Sequence, residues 1–333
     1  MRKIITFVVF LFLFNAASYG QQDPMYTQYM FNSLAYNPAY AGSNGHMAIA
    51  LLHRTQWWGI PGGPNTQSFT IHSPLKNERV GLGLSMVRDQ VGPTNSIDMN
   101  LSYAYHIPLG KKAKLSIALQ GGAMNWRADW SDLDIEHSQD DAFSELQPSF
   151  WLPNFGAGLY FYTEKFYLGF SSPKLIEYDL RKENLNTPIW AKQHRHFFLS
   201  SGAAIPLNGD ALVFKPSILV KNVGLFSSFN KNEVYQEIGA PTEIDIDLSL
   251  MFYQTFWFGV SFRTAVEAFS GDSSSYDSID LWAAYYLANG LRIGAAYDYP
   301  LTEIRTSAQG SFEIMLGYEF NYITKQAATP RYF

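Results

Sequence analysis

The sequence predicts an all-β protein: a transmembrane antiparallel β-barrel of about 14 strands, with short periplasmic turns and longer extracellular loops. Three observations predict it. Aromatic residues make up 16% of the 333 residues and charged residues only 16%, whereas a soluble domain carries roughly 25% charged residues. The mean hydropathy is still only −0.12, because Ser, Asn, Gln, Thr and Gly interleave with the apolar side chains at every second position. The links between alternating segments are by turns short and long, as barrels with tight turns at one membrane face and larger loops at the other require.

The N-terminus reads as an export signal. Met1-Arg2-Lys3 is a basic region, Ile4 to Phe14 an apolar core, and Ser18-Tyr19-Gly20 puts the small residues Ser18 and Gly20 at the positions read for processing. Residues 1–20 are expected to be a signal peptide, cleaved after Gly20. The alternative, a membrane anchor, has a core short of the ~20 residues that span a bilayer. Residues 21–43 form an N-terminal periplasmic or plug segment. Asn37-Pro38 and Gly42-Ser43 are turn signals, while Tyr26, Tyr29, Met30, Phe31, Leu34, Tyr36 and Tyr40 make the stretch too apolar for a free tail. It is expected to enter from the periplasm and to pack into the periplasmic mouth or along the inner wall, or to serve as a lead-in to the first strand.

Residues 44–333 make up the outer-membrane barrel domain with a C-terminal tail. Strict alternation marks its strands. From Ile97 to Ile107 the odd positions are apolar or aromatic and the even ones polar or small; Ile244–Phe252 and Phe312–Phe320 behave alike. Successive side chains of a strand point to opposite faces, so each segment has one apolar and one polar face. Strands are expected to start near His46, Thr66, Arg79, Ser96, Ala113, Asn154, Lys165, Arg195, Leu212, Glu243, Phe256, Asp277, Leu291 and Ser311. Tyr103, Tyr105, Tyr160, Tyr162, Tyr297 and Tyr299 lie near segment ends, where interfacial girdles place aromatic rings; ordinary β-propensity is the other reason for them. Asp89 with Gly92-Pro93 is expected to fix a tight turn.

Little in the chain suggests bond chemistry. The net charge is −5, which argues against a nucleic-acid partner. Absence of Cys removes disulfides, thiolate metal sites and a Cys nucleophile. No G-x-S-x-G elbow occurs, and no cofactor is expected. Charges expected to face the lumen include Arg54, Arg79, Asp98, Lys215, Asp245, Asp247, Arg263, Asp280, Asp298 and Glu313. Their mixed signs suit an ion-paired interior; Asp245 and Asp247 share a face and could form an acid pair. His194 and His196 could share a metal, with no third ligand apparent. Gly81, Gly83, Gly121 and Gly122 fall within strands, permitting bends or close packing against a plug. The link Ala128–Pro153 carries seven acidic residues and no Lys or Arg, which suits a solvated loop or a site for a divalent cation or basic partner.

The stretches "QQDPMYTQYMFNSLAYNPAYAGS", "LLHRTQWWGIPGGPNTQSFTIHSPL" and "VGLGLSMVRDQVGP", with the closing "PRYF", resemble the PorP/SprF family of outer-membrane proteins of the type IX secretion system of Bacteroidetes. The resemblance is specific over Gln21–Pro93 and looser beyond. It implies a non-enzymatic barrel that assists secretion or surface attachment of a specific cargo, typically a large adhesin of the gliding-motility kind. The implied partners are that cargo, other secretion components including a periplasmic peptidoglycan-binding protein, and the lipid bilayer. An outer-membrane porin or a hydrophobic-solute channel is the alternative; an outer-membrane hydrolase is a third class. Residues expected to meet a partner are Tyr26, Tyr29, Phe31 and Asn37 in the N-terminal segment, and Arg54, Gln56, Trp57 and Trp58 at the first outer turn, where Trp beside Arg is the mix of interaction hot spots. For Trp57 and Arg54 the structural reading is preferred, the indoles anchoring the strand at the lipid boundary and Arg54 pairing with an inner-wall carboxylate such as Asp98.

Overall fold

The computed structural model describes residues 23–76, 78–131, 147–179, 192–193, 195–223, 242–265 and 276–320. The alternating segments form fourteen barrel strands: β1 (Ala48–Thr55), β2 (Asn65–Pro74), β3 (Val80–Val91), β4 (Thr94–Leu109), β5 (Ala113–Ala128), β6 (Ser149–Thr163), β7 (Phe166–Ser172), β8 (His196–Ala203), β9 (Leu212–Val223), β10 (Glu243–Phe252), β11 (Phe256–Ala265), β12 (Tyr276–Tyr286), β13 (Leu291–Pro300) and β14 (Ser311–Glu319). Each pairs antiparallel with its sequence neighbours, and a short continuation of β8, Ile205–Asn208, stays beside β9. The ring closes where β1 pairs with β14, from Ala48 opposite Glu319 to Thr55 opposite Phe312. Closure pairs the first and last strands of the sheet, so neither is left as an open edge facing lipid. No helix among the described residues is long and apolar enough to cross a membrane; the strands do the crossing.

The expected strand starts lie within two residues of the observed ones, except at β6. That strand begins at Ser149 rather than Asn154, because it continues its ladder with β5 to the pair Arg127–Ser149 despite Pro153. Arg79 sits in the exposed turn before β3, not on the inner wall. Gly92, with φ +53°, and Pro93 make the two-residue link between β3 and β4. Asp89 takes no part in that turn; its carboxylate accepts the Thr66 hydroxyl at 2.6 Å.

Polarity is inverted relative to a soluble protein. Leu101 and Leu119 are 67% and 68% exposed, and Leu82, Phe155, Leu248, Phe258, Leu281 and Ile314 also face outward. Ser68, Thr70, Ser102, Gln120, Ser249 and Ser261 are buried on the inner wall. Exposed apolar and buried polar residues are the informative departures from ordinary burial, and here they follow the period of the strand. Tyr103, Tyr105 and Tyr299 point outward. Tyr160 and Tyr162 do not belong to that outer set: both fall on the even, inward positions of β6, stacked on each other at 5.4 Å, and Tyr162 meets the imidazole of His106.

Short turns (75–79, 110–112, 164–165, 209–211, 253–255 and 287–290) lie at one end of the barrel. At the other end the strands stop on either side of the stretches 56–64, 92–93, 129–148, 173–195, 224–242, 266–275 and 301–310, most of them longer, which places the short-turn end in the periplasm.

The N-terminal segment occupies the interior. It is built from the 3-10 turns Tyr29–Phe31 and Pro38–Tyr40 and the one-turn helix α1 (Ser33–Tyr36). Asn37 caps the second 3-10 turn through its side chain, which accepts from Ala39 N–H at 2.9 Å. Three apolar clusters join it to the wall. Phe31 packs with Trp257, Trp282, Met251 and Met315; Leu34, Ala39 and Ala41 pack with Ala104, Ala118, Tyr160 and Tyr167; Tyr26, Tyr29 and Tyr36 pack with Leu52, Phe198 and Leu219. The signal-peptide expectation (1–20) and the tail from 321 fall outside the described residues.

Candidate functional site

The course of the segment through the barrel follows from its polar contacts. At the long-loop end the Asp23 N–H donates to His196 Nε2 at 3.1 Å, and the Asp23 carboxylate pairs with Lys174 at 2.8 Å. Lys221 donates to the Asp23 carbonyl at 3.1 Å. One turn further on, the Thr27 and Gln28 N–H groups donate to the two oxygens of Glu313 at 3.0 and 2.7 Å, and the Thr27 hydroxyl donates to Asp298 at 2.7 Å. Arg54 locks this point, with one guanidinium nitrogen 2.6 Å from Asp298 and another 3.4 Å from Glu313 while donating to Thr27 at 3.0 Å. Arg54 therefore pairs with Asp298 and Glu313, and the expected partner Asp98 pairs with Lys174 at 3.1 Å instead.

Lower down, Asn32 donates to Ser68, Asn37 to the Leu159 carbonyl, and Ser171 to the Tyr36 carbonyl. At the short-turn end the Gly42 N–H donates to His72 Nδ1, and the Ala41 carbonyl bonds His106. The segment thus descends from beneath the long loops to the start of β1 at the opposite end. It was expected at the periplasmic mouth or along the inner wall; its contacts run along the wall from one end to the other. Wall glycines clear the path. A Cβ on Gly81 would lie 2.0 Å from the Ala41 carbonyl oxygen, and one on Gly158 would lie 2.3 Å from the Asn37 side chain.

Above the segment lies a chamber of about 630 Å³, floored by Asp23, Met25, Tyr26, Tyr29 and Tyr36. Its walls include Gln56, Trp57, Asp89, Asp98, Trp126 and Lys174. Burial would raise the Asp23 carboxyl, but His196, Lys174 and Lys221 outweigh it and hold the group well below the usual carboxylate range. Asp23 and Asp98 hold the Lys174 ammonium well above its ordinary value, against burial.

The eight expected partner residues divide by position. Tyr29, Phe31, Asn37 and Arg54 are buried between segment and wall, with the Tyr29 hydroxyl 2.7 Å from Ser217. Tyr26, Gln56 and Trp57 line the chamber, to whose floor Tyr29 also contributes. Trp58 is 53% exposed and packs edge-on against Phe312 at 5.0 Å. Trp57 is held at φ +55°, in the left-handed region, because its flanking loop bonds the neighbouring one: Trp57 N–H to Ser311, Trp58 N–H to the Gly310 carbonyl and Gln309 N–H to the Trp58 carbonyl.

Sequence reasoning missed Lys174, which lies in a link without alternation, and missed His196 as an anchor for the segment. A signal for the filled interior was present: Trp257, Trp282 and Met315 occupy positions that the period assigns to a polar lumen. Asp245 and Asp247 do not act as a pair, since Asp245 is held by Arg263 at 2.8 Å and Asp247 accepts from Ser261 and Trp282. Among the described residues no group of three metal-ligating side chains gathers; His194 lies outside them.

The family model for the type IX secretion system membrane protein PorP/SprF matches residues 18–318. No curated protein matches the chain. Solved structures similar to it include a Pseudomonas aeruginosa FadL homologue, at 13% identity and TM-score 0.42 over 82% of this chain and 89% of that one. The Acinetobacter baumannii outer membrane protein Omp33 is similar at 10% identity and TM-score 0.41, over 83% and 98%. The KdgM porin is similar at 9% identity and TM-score 0.37, over 82% and 99%. At such scores these likenesses say nothing of function. The extent of the family match, over a closed fourteen-stranded outer-membrane barrel, decides the assignment: the chain belongs to the PorP/SprF family of type IX secretion system membrane proteins.

Proposed function

We propose that the protein is a cargo-specific helper of type IX secretion, which captures one secreted protein and retains it at the cell surface, the cargo being a large adhesin of the gliding-motility kind. The observation that carries this reading is the filled lumen: the chain's own N-terminal segment runs the length of the interior, bonded at both ends and in the middle. A segment held in this way occupies space through which a solute would otherwise pass. What it offers is a chamber and a set of long links at the outer end, suited to holding a partner that has already crossed the membrane. Other components of the secretion machinery, among them a periplasmic peptidoglycan-binding protein, would be met from the short-turn side. No step of this function needs bond chemistry.

Gene deletion followed by surface proteomics tests the reading. Loss of one large surface protein, with growth on solutes unchanged, is the expected result. Unchanged surface proteins together with impaired solute uptake would sink it in favour of a channel.

A further inference from the structure

The chamber has a specific chemical character. Five carboxylates line it, Asp23, Asp89, Asp98, Glu243 and Asp277, against the bases Lys174, Lys221 and Arg263 and the imidazole of His196. The bases are engaged: Lys174 bridges Asp23 and Asp98, Lys221 lies 2.8 Å from Glu243, and Arg263 donates to Asp245 at 2.8 Å. Asp89 and Asp277 take part in no ion pair among the described residues, and both are partly exposed. Asp89, on β3, lies level with Trp126 two strands away through Ser96, and its neighbour Thr66 is opposite Arg54, three residues before Trp57; Asp277, at the start of β12, lies five strands away round the ring, and all four line the chamber. Trp57 is fixed by the inter-loop hydrogen bonds and Trp126 by stacking on Phe150 at 5.9 Å. Carboxylates beside aromatic faces are the chemistry that recognises an ammonium or guanidinium group.

Resting on the retention reading above, we propose that the chamber binds a lysine- or arginine-bearing extended segment of the secreted partner, its cationic side chains meeting Asp89 on the side of the two indoles and Asp277 at the start of β12. A volume of about 630 Å³ is that of an ordinary ligand pocket and admits an extended end or loop, not a folded domain. An acidic segment would meet surplus negative charge. An apolar one would cover two carboxylates that form no ion pair among the described residues, at the cost of their remaining hydration. The occupant is therefore basic.

The full mature chain in detergent micelles can be titrated with acetylated tetralysine amide, read by tryptophan fluorescence. Saturable binding is expected, weakened by added salt and weakened about tenfold or more in Asp89→Asn and Asp277→Asn. Asp89→Glu should keep it, and heat-modifiable electrophoretic mobility reports that each variant is folded. Absence of saturation, equal binding of tetraglutamate or spermidine, or indifference to both Asn variants overturns the proposal. In cells, the double Asn variant is expected to lose the same surface protein as the deletion. If the variant restores it fully, the chamber proposal falls and the retention reading stands. If deletion leaves the surface unchanged, the retention reading falls, and the titration alone decides the chamber.

Discussion

Arg54 is almost fully buried, 2% exposed, between two carboxylates and a threonine hydroxyl. A guanidinium suits this place because its planar fork presents several donors at fixed angles, which an ammonium cannot. Arg54→Met would leave Asp298 and Glu313 without their cation, and breaking a buried pair from one side costs about 3–5 kcal/mol. The expected outcome is a marked drop in the temperature at which the barrel loses its folded mobility on electrophoresis, with Arg54→Lys only partly protective. Asp23 differs, since its role depends on charge at the outer end of the segment. Its carboxyl is lowered from the ordinary 3.8, so its contribution is fully present above that value and disappears as pH falls through the lower, folded value. Titration of Asp23 itself should therefore weaken the protease resistance of the N-terminal segment only in acid below that ordinary value. Asp23→Asn should abolish that acid dependence; the same acid dependence persisting in Asp23→Asn would contradict the assignment.

Among elements, the N-terminal segment and the wall are fitted to each other. Phe31 lies edge-on to Trp257 at 4.7 Å and to Trp282 at 5.6 Å, with the Arg292 guanidinium 4.6 Å above its ring. Phe31→Ala should cost about 3–5 kcal/mol, read as a lower unfolding temperature. Gly81→Val attacks the same packing from the wall, since any Cβ there meets the Ala41 backbone. We expect negligible conductance from the native protein in planar bilayers and measurable, fluctuating conductance from Gly81→Val as the lower segment is displaced. Equal, large conductance in both would mean that the segment does not seal the lumen.

At the scale of the molecule, the asymmetry of the links sets the orientation, and with it the side on which the chamber lies. The chain has no cysteine, so single substitutions can be labelled cleanly. Ser131→Cys, in the link after β5, should react with a membrane-impermeant maleimide on intact cells. Lys111→Cys, in the turn between β4 and β5, should react only after the outer membrane is opened. The reverse pattern would put the chamber on the periplasmic side and remove the retention reading.

Strand number, strand position and the outward face of Ile244–Phe252 or Ile97–Ile107 were legible in the sequence, because a period of two is a local property and every strand repeats it. The family was legible for a similar reason, in contiguous stretches such as "LLHRTQWWGIPGGPNTQSFTIHSPL". Tyr160 and Tyr162 were misjudged where rings were assigned by position along the strand rather than by parity. What the one-dimensional pattern did not contain was the content of the lumen. Contacts between Thr27 and Glu313, or between Asp23 and Lys174, join residues far apart in the chain, and only closing the ring brings them together. Alternation alone determined an outward apolar wall; the tertiary structure decided that the inner space is filled by the chain itself, because only there can the apolar N-terminal residues meet Trp257, Trp282 and Leu219 away from water.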